Sequence, residues 1–271
     1  MTKGRKIKIT LLTKITSILC CVALVAVGFA IWWIVNYPSE VPVNDGSFAA
    51  YTTGTRNVTI GTPTFETPEI KFGAPTADDL SALQDALQGK TPWLTYDTEK
   101  IPTENLSSIL KFSVQVDGEG DTLAKFIDHI YVEFNAGTEY EDLIGTRVAN
   151  PVVKYHVSTT ENATVNWESA STATYNKDND VPLKIDITDA SMNSQIVYVQ
   201  VKFDFDWEYK PTGVTTAIHD NPYIYCNNQD FNPTLANDMI NDAKTGILDQ
   251  VAGLNDKTYT VKIYTDPKAS N

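Results

Sequence analysis

Residues 197–209 read Val-Tyr-Val-Gln-Val-Lys-Phe-Asp-Phe-Asp-Trp-Glu-Tyr. Val197, Val199, Val201, Phe203, Phe205, Trp207 and Tyr209 fall on one side of an extended chain. Gln200, Lys202, Asp204, Asp206 and Glu208 fall on the other. Successive side chains of a strand point to opposite faces, so a period of two over this length predicts a half-buried antiparallel strand. A run this long also predicts a bend or bulge along it.

The same period recurs on both sides of that run. Leu110, Phe112, Val114 and Val116 alternate with Lys111, Ser113 and Gln115; Ile130, Val132 and Phe134 alternate with Tyr131 and Glu133. Val153, Tyr155 and Val157, then Leu183, Ile185 and Ile187, and finally Tyr259, Val261 and Ile263 repeat the pattern. The last of these needs cover on its apolar face and is expected to pair inside a sheet. Pro63 and Pro68 break the segment 57–72 into edge-like pieces.

Two stretches carry a helical period instead. Thr76 with Asp79 forms a capping-box-like start to 76–88, with Leu80, Leu83 and Leu87 on one face and Gly89 after them. Asn232 as N-cap and Pro233 at the first position open a second helix. There Leu235, Met239, Ala243, Ile247 and Val251 recur every four residues up to Gly253. The expected fold is mainly β: an antiparallel β-sandwich, jelly-roll or immunoglobulin-like, with two accessory helices. The Cys…Trp…Cys pattern of true immunoglobulin domains is absent.

Ahead of this domain lies a membrane signal. Lys3, Arg5, Lys6, Lys8 and Lys14 stand in a start of 14 residues that holds no acid. No charge follows from Ile15 to Val35. That run can cross about 30 Å of hydrocarbon at about 1.5 Å per residue. It includes Leu24 and Phe29 and ends in Trp32 and Trp33, rings that favour the headgroup level. The positive-inside rule gives a single-pass protein of the cell membrane with its N-terminus inside and its β domain outside. The expected layout is a basic start at 1–14, a transmembrane helix or uncleaved anchor at 15–35, a linker at 36–47 and the domain at 48–271. Gly28-Phe29-Ala30 and Ser47-Phe48-Ala49 both offer small residues at signal-peptidase spacing, so release by cleavage is the alternative to a retained span.

Charge and cysteine limit the partners. The chain has 21 Lys+Arg against 34 Asp+Glu; without the five cations of the start, 16 face 34, a net charge of −18. Such a domain repels nucleic acid. Cys20 and Cys21 lie in the apolar run, which leaves Cys226 alone in the domain and excludes an internal disulfide there.

Few residues invite chemistry. Asp117, Glu119, Asp121 and Asp128 faintly echo a calcium loop, but Thr122 stands where the turn glycine belongs, and a polar hairpin turn explains the segment. Asp204, Asp206 and Glu208 form an acidic stripe with no facing carboxyl partner in view, which suits a solvated strand face better than acid–base catalysis. His129, His156 and His219 lack metal-ligand spacing, and the pair His219 and Cys226 has no orienting acid or oxyanion motif. Asn57, Asn105 and Asn162 head Asn-X-Ser/Thr triplets, as many as composition alone would produce. No cofactor or metal and no enzymatic activity are expected. The segment 215–229 mixes His219, Asp220, Asn221, Tyr223, Tyr225 and Asn227, rings and amides suited to a sugar or protein surface, and is the candidate binding site.

The basic start, the apolar run with Gly28-Phe29-Ala30, the aromatic exit and the disulfide-free β domain together resemble the camelysin and biofilm-fibre group. These are exported matrix proteins of Gram-positive bacteria. The likeness covers about the first 50 residues and the general layout; the longer span and the Trp32-Trp33 pair depart from it. It implies a jelly-roll-like subunit that assembles by donating a strand, with the segment 48–72 as donor. Type IV pilins also begin with a basic start and a long apolar helix, but they carry an early Glu, and here no acid precedes Glu40. The expected role is a structural or adhesion protein of the cell surface, in contact with the lipid bilayer through 15–35 and capable of self-association into a surface polymer. The alternative is a tethered module that binds carbohydrate or peptide through 215–229.

Overall fold

The computed structural model describes residues 39–41, 48–53, 57–76, 98–188, 190–210, 215–227 and 233–267, with isolated positions between 79 and 85. The expected membrane span and most of the expected helix at 76–88 lie outside the described residues. Among the described residues no helix is long and apolar enough to cross a membrane.

Among the described residues eleven strands and four α-helices have full bounds, in order: β1 (Ser39–Val41), β2 (Phe48–Thr53), β3 (Val58–Ile60), β4 (Thr64–Phe65), β5 (Ser107–Val116), β6 (Ile127–Asn135), α1 (Thr138–Glu141), β7 (Val152–Ser158), β8 (Ser171–Thr174), β9 (Leu183–Ile187), β10 (Ile196–Asp204), α2 (Pro222–Asn227), α3 (Pro233–Thr245), α4 (Ile247–Gly253) and β11 (Tyr259–Pro267). The protein is mainly β, with two sheets. One runs β1-β2-β11-β6-β9; the other runs β3-β5-β10-β7-β8, with β4 also on β5. Every pair is antiparallel except β2 with β11, which is parallel, with Tyr259 opposite Phe48 and Ile263 opposite Thr52. From β5 onward the chain changes sheet at every connection except β7–β8.

The period-two residues explain the core. Ile130, Val132 and Phe134 of one sheet and Val197, Val199, Val201 and Phe203 of the other are all buried in a single cluster. Phe134 meets Phe203 with ring centroids 4.8 Å apart, and Phe48 meets Phe203 at 5.3 Å, so the two inner faces interlock through aromatic rings. Offset and tilted ring pairs of this kind add roughly 0.5–1.5 kcal/mol each beyond the area they bury.

Four expectations need correction. The β5–β6 segment is no hairpin turn, because its strands lie in different sheets. There Leu123 is buried, Asp121 pairs with Lys125 at 2.9 Å, and Gly118 O accepts from Gln195 Nε2 at 3.0 Å. Residues 39–41 of the expected linker form β1, paired with β2. The segment 48–72 is not uniformly an edge: β2 lies between β1 and β11, and of this segment only β3 and β4 sit at a rim of the second sheet, whose other rim is β8. Finally, the helix expected over 232–251 is two helices. Gly246 takes φ +75°, and the buried positions after it are Leu248 and Val251 while Ile247 is only partly covered.

Candidate functional site

The long alternating run builds the floor of the site. Its ladder with β5 and β7 ends at Asp204, yet the alternation continues, with Phe205, Trp207 and Tyr209 all buried. New partners replace the old ones: Phe205 N donates to Leu106 O at 2.8 Å, Trp207 bridges to Val148, and Tyr209 exchanges two backbone bonds with Ile218. The expected bend is therefore a change of partner, and it brings the segment 215–227 onto the end of the core.

Two of the candidate residues are fastened inward. Asn221 is buried; its Nδ2 donates to Gly73 O at 2.8 Å and its Oδ1 accepts from Tyr223 N at 3.0 Å. The second bond satisfies a backbone donor in the first turn of α2. Tyr223 is 1 % exposed and meets the Trp207 ring edge-on at 6.1 Å, while Trp207 Nε1 donates to Glu104 Oε1 at 2.7 Å. Phe72 stands edge-on to Trp207 at 5.4 Å. These contacts make Asn221 and Tyr223 supports of the surface rather than parts of it.

The rim is what remains. His219 and Asp220 are exposed, Ile224 is 42 % exposed, and Tyr225 is partly buried against the core. His219 Nδ1 lies 2.8 Å from Asp206 Oδ2, so the sequence's acidic stripe and its histidine meet at this rim. The other two acids of the stripe are engaged elsewhere: Asp204 accepts from Ser107 Oγ at 2.9 Å and pairs with Lys202, and Glu208 pairs with Lys210. Asn227 and Cys226 belong to α2, so the expected loop is partly helical; their side chains lie outside the described residues. Among the described residues no group of three or more His, Cys, Asp or Glu side chains is placed to hold a metal ion.

Beneath the rim lies a constellation the sequence reading passed over. Arg147, from the turn after α1, pairs with Asp242 of α3, and its guanidinium sits over the Tyr209 ring at 4.7 Å from the centroid. Arg147 and Asp242 side chains are only 12 % and 10 % exposed. Burial holds the Asp242 carboxyl above its usual range even though the Arg147 charge pulls it down, as expected when desolvation exceeds the attraction in a buried pair. The signal was present in the rarity of arginine, of which the chain has three, but no spacing links residues 147 and 242.

Comparison with known proteins gives no further guide. No family model, curated protein or solved structure matches this chain.

Proposed function

We propose that this protein is a non-enzymatic structural or adhesion protein of the cell surface, anchored by residues 15–35 with its β domain outside the membrane. The observation that carries the reading is the seating of β2, the strand nearest the apolar run with a described core residue. Phe48 is fully buried among Phe65, Phe134, Phe203, Phe205 and Tyr259, at 4.9–6.3 Å between ring centroids. β2 runs parallel to β11 along six paired residues. Tension from the membrane side enters at Ser39, opposite Thr52 of β2, and draws β1 along the strand axis, so it loads the β1–β2 pairing in shear before it reaches Phe48. A domain tethered at its N-terminus and pulled from outside gains from that geometry.

The strand orders β2-β11-β6-β9 and β5-β10-β7-β8, with the chain crossing between sheets, support a jelly-roll β-sandwich over an immunoglobulin-like one. That is the fold implied by the likeness to the camelysin and biofilm-fibre group, and self-association into a surface polymer follows from the same likeness. The alternative role, recognition of a carbohydrate or peptide at 215–229, rests on the exposed His219, Asp220 and Ile224 above a rigid aromatic base.

Fractionation of cells producing the full chain tests the main reading. Intact mass at full length in the membrane fraction, with the domain open to protease added outside, is the expected result. Recovery of the full chain from the soluble cell contents overturns it.

A further inference from the structure

The register of the first sheet fixes which end of the domain the preceding chain approaches. Ser39 of β1 lies opposite Thr52, which lies opposite Ile263, which lies opposite Val132. β1 is antiparallel to β2, so residues before Ser39 head in the direction that β11 takes toward Pro267, where Pro267 pairs with Ile127 at the start of β6. The β5–β6 connection, 117–126, enters at that same end, and so does the β9–β10 connection, because Ile187 pairs with Ile130 and Ile196 with Gln115. The β10 strand runs the opposite way, so Trp207, Tyr209 and the segment 215–227 lie at the far end.

Length decides the rest. Only residues 36–38 separate Val35 from Ser39, a reach of about 14 Å when fully extended. From the level of Ile263 to Pro267 is about 13 Å of strand, while the ten residues of β5 span about 30 Å. We infer that the domain stands on the bilayer with the end formed by 117–126 and 188–195 toward the lipid headgroups, and that the end carrying His219, Asp220 and Ile224 faces away from the membrane. The inference rests on the membrane-span reading of 15–35. The near end exposes Asp117, Glu119, Asp128 and Asp266, so anionic headgroups push it outward as far as the short tether allows. The far end, with its rim residues, is then the surface open to partners in the surroundings.

The test uses the full chain reconstituted in phosphatidylcholine vesicles, a neutral surface that removes the repulsion. A fluorescent amino acid is introduced at Glu119 or at Asp220, both exposed, and is quenched by headgroup-spin-labelled lipid. Quenching at position 119 several-fold stronger than at 220 is the expected result. Equal quenching at the two, in chain that floats with the vesicles, means that the domain lies on its β1 edge and overturns the orientation. Stronger quenching at 220 overturns it as well. Chain that fails to float with vesicles overturns the span reading itself, and this outcome is distinct from the other two.

Discussion

Phe48 shows how much a single side chain decides. It is fully buried and touches rings from both sheets. Phe48→Ala removes those contacts and leaves a cavity between sheets that cannot close on it, so urea unfolding should show a loss of about 3–5 kcal/mol. The Arg147–Asp242 pair behaves differently, because its worth depends on pH. Burial raises the folded pKa of Asp242 above its ordinary 3.8. The folded state therefore holds the proton more tightly than the unfolded chain does. The resulting stabilisation is fully present below pH 3.8 and is lost as pH rises through the raised folded value. The stability of the wild type minus that of Asp242→Asn should fall across that window and stay level above it, as read from urea unfolding at a series of pH values. Arg147→Met leaves the carboxylate buried without its partner and should cost about 3–5 kcal/mol near neutral pH.

Among the elements, the glycines at two turns carry constraints that periodicity does not display. Gly73 has φ +61°, and an added Cβ would meet Pro102 O at 2.7 Å and Asn221 Nδ2 at 3.0 Å. Gly73→Ala should therefore lower the melting temperature and loosen the 215–227 segment, seen as faster amide exchange at Tyr223 and Tyr225. Gly246 has φ +75°, and an added Cβ would meet only Asp249 Oδ2 at 3.8 Å, an ordinary contact, so Gly246→Ala should cost only about 1–2 kcal/mol, the strain of a left-handed alanine. The strands at 110–116, 130–134, 183–187 and 259–263 were legible because each buries alternate residues; at 153–157 only Val153 is buried, with Tyr155 and Val157 packed part-covered against the core. The break at Gly246 was not, because a four-residue apolar repeat runs through it unchanged. Nor was the inward turn of Asn221 and Tyr223: rings and amides in a segment read equally well as a surface and as an anchor. Only the position of Gly73 and Trp207 beneath them separates the two.

For the whole molecule, the place of β2 bears on processing. Cleavage after Ala49 would remove Phe48 and β1 and leave the Phe65, Phe134, Phe203 and Tyr259 rings without their central partner. Purified residues 50–271 should therefore show lost near-ultraviolet circular dichroism or aggregate, whereas residues 39–271 should unfold cooperatively. A cooperative transition of equal midpoint in the shorter chain would contradict the role given to Phe48. Local alternation and simple counting were enough for the mainly β character, the disulfide-free core and the acidity of the domain. The parallel seating of β2 on β11, the crossing from sheet to sheet, the buried Arg147–Asp242 pair and the rim of His219, Asp220 and Ile224 emerged only when the chain was folded. Those features join residues far apart in the chain, and contacts of that kind leave no period in the sequence between them.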